Sequence, residues 1–130
     1  MLANSTHTVL VVDDFESIRK VIAETLKRHG YNTVEAKNGN DALGILEKKE
    51  CSIDLILSDY NMPEMNGFDL LKKVKTSVAL KKYPFILLTS ETNTEKKKLA
   101  KEAGLDAWIE KPYKIDSFIS LIKYNIEKSK

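Results

Sequence analysis

LILSDYNMPEMNG, residues 55–67, begins as an apolar run and stops abruptly at an aspartate. Residues 53–58 read as a strand whose near-continuous apolar character fits burial on both faces. The strand delivers Asp59 into a turn that contains Asn61-Met62-Pro63 and closes with Asn66-Gly67, residues that punctuate a chain. A carboxylate at the end of a core strand is costly unless something pairs with it. Asp59 therefore either caps the next turn or takes part in chemistry.

Outward from this stretch the chain alternates strand-like and helix-like segments. Upstream, residues 7–12 form a strand ending at Asp13-Asp14. Residues 15–29 form a helix with Ile18, Val21, Ile22 and Leu26 on one face and Gly30 as its stop. Residues 31–36 are a short alternating strand closed by Asn38-Gly39, and Asn40 is the expected cap of a helix carrying Leu43 and Leu46. Downstream, a helix over about 68–76 presents Leu70, Leu71 and Val74, and residues 84–89 are a fourth strand. Thr92 and Glu95 make a capping-box pattern that opens a lysine-rich helix stopping at Gly104. Residues 105–110 are a fifth strand. After Lys111-Pro112, a last helix spaces Ile115, Phe118, Ile119, Ile122 and Ile126 helically, and the closing EKSK reads as a solvated tail.

Strands one, three and four are nearly all apolar, which with intervening helices means a parallel sheet covered on both faces. Strands two and five carry Asn32, Thr33, Glu35, Asp106 and Glu110, and such strands belong at edges. Right-handed crossovers then give an α/β fold with a five-stranded parallel sheet in the order 2-1-3-4-5, doubly wound like flavodoxin. Its ligand crevice lies beyond the carboxyl ends of strands one and three. Length fits one domain over residues 1–130, with a core from about 7 to 127. Net charge is +2, from 21 basic and 19 acidic residues, which does not announce nucleic-acid binding. A single cysteine, Cys51, excludes an intrachain disulfide. No apolar run suits membrane insertion, and MLANSTHT lacks signal-peptide character. A cytoplasmic monomer is the expectation.

In the expected order, Asp13 and Asp14 end strand one, Asp59 ends strand three, Thr89 ends strand four and Lys111 follows strand five. All five meet on one sheet edge, around the crevice. Taken singly, each has a structural use: Asp14 as a helix cap, Asp59 as a turn residue, Lys111 as a solvated cation. Their coincidence asks for more. Three crowded carboxylates repel, and either a held proton or a divalent cation relieves them. Oxygen-only donors without histidine or cysteine point to Mg2+, or Mn2+ in its place. Magnesium shares ligands readily with phosphate, Lys111 and the Thr89 hydroxyl suit phosphoryl oxygens, and a carboxylate can itself be the nucleophile. The constellation reads as a phosphoryl-transfer site.

With VLVVDDFESIRKVI, LILSDYNMPEMNGFDLL, FILLTSET and AWIEKPY in order, the chain resembles a response-regulator receiver domain, most of all the single-domain chemotaxis type, over residues 8 to 127. The resemblance implies that Asp59 accepts phosphate from a phosphohistidine. It implies that Asp14 and Asp59 bind Mg2+ directly with the backbone carbonyl of Asn61, while Asp13 acts through water. Thr89 and Lys111 would hold phosphoryl oxygens, across a Lys111-Pro112 bond expected to be cis. Trp108 fills an aromatic switch position, and Asn61 and Glu91 fill positions that influence dephosphorylation. Ser90 stands where alanine is usual, and tryptophan replaces the commoner tyrosine or phenylalanine.

The implied protein is a two-component signalling switch rather than an enzyme, although it assists its own phosphotransfer and dephosphorylation. Its partners would be a histidine kinase or histidine phosphotransfer protein and a downstream protein docking on helix four, strand five and helix five, in chemotaxis. With nothing after Lys130 to act as an output domain, output is expected through that partner. Lys96, Lys97, Lys98 and Lys101 fit either a solvated helix or an acidic partner. A phosphorelay intermediate is the main alternative. An aspartate-nucleophile phosphatase would show D-x-D where this chain has VVDDF, and an electron carrier would need a Ser/Thr/Gly-rich loop where it has DDFES.

Overall fold

The computed structural model describes residues 6–49 and 52–129. Cys51 and the first five residues, on which the disulfide and leader expectations rest, lie outside the described residues, as does Lys130. The elements alternate in chain order: β1 (Thr8–Val12), α1 (Glu16–Arg28), β2 (Asn32–Ala36), α2 (Gly39–Lys48), β3 (Leu55–Asp59), α3 (Gly67–Lys75), β4 (Phe85–Thr89), α4 (Thr94–Glu102), β5 (Ala107–Glu110) and α5 (Ile115–Lys128). The sheet is parallel throughout in the order β2-β1-β3-β4-β5, as expected.

Alternation along the buried strands feeds two cores. Leu10, Val12, Ile56, Phe85 and Leu87 face one side with Leu46, Leu70, Val74 and Ala100. Val9, Val11, Leu55, Leu57, Ile86, Leu88 and Ile109 face the other with Leu26, Phe118, Ile122 and Ile126. A fully buried aliphatic side chain contributes about 1.5–3 kcal/mol, so the fully buried stretches of β1, β3 and β4 fix the register of the whole sheet.

Several local expectations give way to the structure. The buried face of α1 is Ile22, Ala23 and Leu26, while Ile18 and Val21 are 40% and 64% exposed. The place at the start of that inner face is taken by Arg19, which the crevice uses. Asn38, not Asn40, caps α2, accepting from the Asp41 amide at 2.7 Å. Asn93, not Thr92, caps α4, accepting from the Lys96 amide at 3.0 Å. A reciprocal capping box does exist, at Asn66 and Asp69 on α3. Pro84 and Leu105 precede their strands. The expected tail is helical through Lys128, though Glu127, Lys128 and Ser129 are exposed.

Gly67 explains the Asn-Gly after Asp59. Its amide donates to the Tyr60 carbonyl at 2.8 Å. A Cβ there would lie 2.3 Å from the Asp59 carbonyl oxygen and 2.6 Å from Leu87 Cδ2. Only glycine lets α3 start this close beneath the strand end.

Candidate functional site

Register brings the polar residues together. Val12 pairs with Ser58, Asp59 with Leu88, and Thr89 with Glu110. Asp13, Asp59, Thr89 and Lys111 are therefore at or one step beyond the same edge of the sheet. The Lys111 amide continues the ladder, donating to the Thr89 carbonyl at 2.8 Å. Lys111-Pro112 is cis, as the resemblance implied.

Ligand oxygens of Asp13, Asp14 and Asp59 all lie within 4.8 Å of one another. Asp13 is buried and the other two are partly so. Asp13 Oδ1 accepts the Phe15 amide at 2.9 Å. Asp14 Oδ1 is buried without a hydrogen-bond partner among the described residues. A buried carboxylate oxygen left unpaired is costly, and a hard cation is the partner its chemistry suits. The donor set thus fits Mg2+.

The electrostatics agree. Burial, and then the charge of Asp13, push the Asp59 carboxyl up from 3.8 to about 6; Lys111 and the amides of Tyr60 and Asn61 pull the other way without cancelling this. Burial also raises Asp13. The cluster is short of positive charge, and its one ammonium, Lys111 Nζ, stands 3.8 Å from Asp59 Oδ1. Asn61, two residues beyond Asp59, is exposed.

Thr89 is fully buried, and its Oγ1 accepts the Glu91 amide at 2.9 Å. Glu91 in turn is held by Lys96 Nζ at 3.1 Å and by the Asn93 amide at 3.1 Å. Lys96 Nζ lies 5.6 Å from the centre of the Tyr60 ring, and Tyr60 meets Trp108 edge-on at 5.8 Å. Trp108 is partly exposed as expected, but its Nε1 is covered and finds no acceptor among the described residues. It packs on the α3–α4 side of the sheet, beside a crevice of about 180 Å³ lined by Lys97, Lys101, Leu105 and Asp106.

The residue that sequence reasoning passed over is Arg19. Its Nη1 donates to the Asp13 carbonyl at 2.7 Å and its Nε to Glu35 Oε1 at 2.9 Å. The clue in the sequence was an arginine one turn before Ile22 on the inner stripe of the helix, with a glutamate in a strand nearby.

Comparison with known proteins gives one answer. The family model for the response regulator receiver domain matches residues 9–123. Chemotaxis protein CheY-3 of Vibrio cholerae is 36% identical over 113 residues, 86% of this chain and 85% of the relative. Chemotaxis protein CheY1 of Helicobacter pylori is 41% identical over 108 residues, 81% of this chain and 85% of the relative. The crystal structure of Vibrio cholerae CheY4 superposes with a TM-score of 0.84 at 36% identity, covering 93% of this chain and 99% of that one.

Proposed function

This chain belongs to the response regulator receiver family, and from that premise we propose that it is a phosphorylation-activated switch in which Asp59 accepts a phosphoryl group from a phosphohistidine. The observation that carries the reading is the acidic cluster facing Lys111 and Thr89 at the switch point of the sheet. Asp59 Oδ attacks phosphorus, the N–P bond to the donor imidazole breaks, and an acyl phosphate remains. Asp13, Asp14, Asp59 and the Asn61 carbonyl would hold Mg2+. Bound there, the cation supplies positive charge to the transferring phosphoryl oxygens. Lys111 Nζ takes one phosphoryl oxygen, and the Thr89 hydroxyl donates to another. Asn61 and Glu91 would influence the rate at which the acyl phosphate is later hydrolysed.

The output follows from charge. A phosphoryl group adds negative charge and acceptor oxygens beside Lys111 and Thr89. The surface of α4, β5 and α5 then shifts between two populations, and a protein partner in chemotaxis reads it. Among the described residues no helix is long and apolar enough to cross a membrane; the proposed switch works as a monomer in the cytoplasm. The test is mass spectrometry after incubation with Mg2+ and acetyl phosphate. Wild type gains one phosphoryl group and Asp59→Asn gains none; equal labelling of the two removes Asp59 from the role.

A further inference from the structure

We propose that Arg19 is a positioning residue for the divalent-cation site, setting the backbone on one side of Asp14 while Asp13 sets it on the other. The inference rests on the reading of the acidic cluster as a Mg2+ site. The peptide before Asp14 has its carbonyl oxygen, that of Asp13, on Arg19 Nη1 at 2.7 Å. The peptide after Asp14 has its N–H, that of Phe15, on Asp13 Oδ1 at 2.9 Å. Peptide groups are planar, so holding both planes fixes the Cα of Asp14 and the direction of its Cα–Cβ bond, from which the carboxylate projects. Among the described residues Asp14 makes no such contact for itself: its Oδ1 is buried and unpaired. The start of α1 offers no substitute, because Phe15 at the N-cap has no side-chain cap.

Arg19 is itself held. Its side chain is 12% exposed, and Glu35 on β2 takes Nε at 2.9 Å. Lys20 occupies the second oxygen of Glu35 at 3.1 Å from a far more exposed position. Hydrogen bonds from Arg19 and Lys20 outweigh the burial that pushes the Glu35 carboxyl up, leaving it below its usual range. The guanidinium thus bridges a strand carboxylate and a loop carbonyl lying in different directions. A planar fork can satisfy both; a lysine ammonium on a flexible stem cannot hold that geometry.

Charge and position predict opposite signs. Arg19 is a cation beside the cluster, its guanidinium 2.7 Å from the Asp13 carbonyl. By charge alone its removal tightens Mg2+ binding. By position its removal loosens binding, as loss of an orienting partner of a metal ligand does, by about tenfold.

The experiment is a MgCl2 titration followed by backbone amide shifts in Arg19→Gln, Arg19→Lys, Glu35→Gln and Lys20→Gln, with melting temperatures measured in metal-free buffer. Arg19→Gln weakens Mg2+ about tenfold, and Arg19→Lys and Glu35→Gln weaken it in the same direction, while Lys20→Gln stays within about twofold. In labelling by acetyl phosphate, the Mg2+ concentration for half-maximal rate rises by the same factor and the plateau rate persists. Unchanged or tighter binding in Arg19→Gln overturns the positioning role, as does equal loss in Lys20→Gln. If Arg19→Gln does not fold, Arg19→Lys and Glu35→Gln decide by the same criterion. A wild type without saturable Mg2+ binding overturns the cation-site reading itself, and the role of Arg19 with it.

Discussion

Lys111 Nζ stands 3.8 Å from Asp59 Oδ1, within ion-pair range but beyond hydrogen-bond length. The ammonium therefore tempers the charge of the carboxylate without occupying its oxygen. On the proposed reading an attacking oxygen needs that freedom, and a phosphoryl oxygen bound beside the pair would find a donor waiting. Lys111→Met is expected to slow labelling by acetyl phosphate about a hundredfold, the scale of losing one charge-stabilising donor. It also removes an influence that lowers the Asp59 carboxyl, so an NMR titration of metal-free protein finds Asp59 higher still. Unchanged labelling rates take Lys111 out of the phosphoryl site.

Without metal, the cluster makes stability depend on pH. Burial and Asp13 raise Asp59 from 3.8 to about 6, so the folded chain binds this proton more readily than the unfolded one. The stability it contributes is complete below about 3.8 and is lost as pH rises through about 6. A shift of that size in a dry site corresponds to roughly 3 kcal/mol, and water at the crevice reduces it to about 1–2 kcal/mol. Asp59→Asn is therefore more stable than wild type by about 1–2 kcal/mol at pH 7.5 in metal-free urea melts. That gap closes as pH falls toward 4, and saturating Mg2+ stabilises wild type far more than the mutant. A gap that widens on acidification contradicts the assigned cause.

Two glycines separate position from propensity. Gly67→Ala places a Cβ 2.3 Å from the Asp59 carbonyl, and backbone must move. A loss of about 3 kcal/mol is expected in denaturant melts, together with slower labelling because Asp59 moves too. Gly44 lies inside α2, and nothing stands within 4 Å of its added Cβ. Gly44→Ala is expected to stabilise by up to about 1 kcal/mol with labelling unchanged. Equal effects at the two positions contradict the close approach seen at Gly67.

The sheet order was legible because burial on both faces leaves a signature that tolerates few exceptions: β1, β3 and β4 could only be central. The same pattern placed Asp13, Asp14, Asp59, Thr89 and Lys111 on one edge, since parallel strands end together. Helix faces were less legible. Ile18 and Val21 share an apolar stripe with Ile22 and Leu26 in sequence, yet Arg19 holds the inner position because the Asp13 carbonyl and Glu35 need it there. Caps were misplaced by one or two residues, since Asn38 and Asn40, or Thr92 and Asn93, are equally able acceptors and only the entering backbone decides. The pairing of Arg19 with Glu35 depends on β2 lying beside β1, a long-range fact that no local pattern carries.

Trp108 is the only tryptophan, so indole emission reports from β5 alone. Its nitrogen is already covered and its ring already meets Tyr60. Metal-free, unphosphorylated protein is therefore expected to emit to the blue of free tryptophan and to be quenched by iodide less than free tryptophan. Contacts in place link the Thr89 hydroxyl to the ring. If the Thr89 hydroxyl turns to a phosphoryl oxygen, its bond from the Glu91 amide at 2.9 Å changes. Glu91 carries Lys96, and Lys96 lies over Tyr60. Adding Mg2+ with acetyl phosphate is thus expected to change emission intensity or wavelength, and the change is absent in Asp59→Asn and blunted in Thr89→Ala. Lys96→Ala separates the route from the chemistry: the Lys96–Glu91 pair is exposed and contributes little to stability, so labelling proceeds while the fluorescence change shrinks. Emission and quenching that stay constant while mass spectrometry confirms full phosphorylation mean that Trp108 is fixed, and that the phosphoryl group speaks to α4 without it.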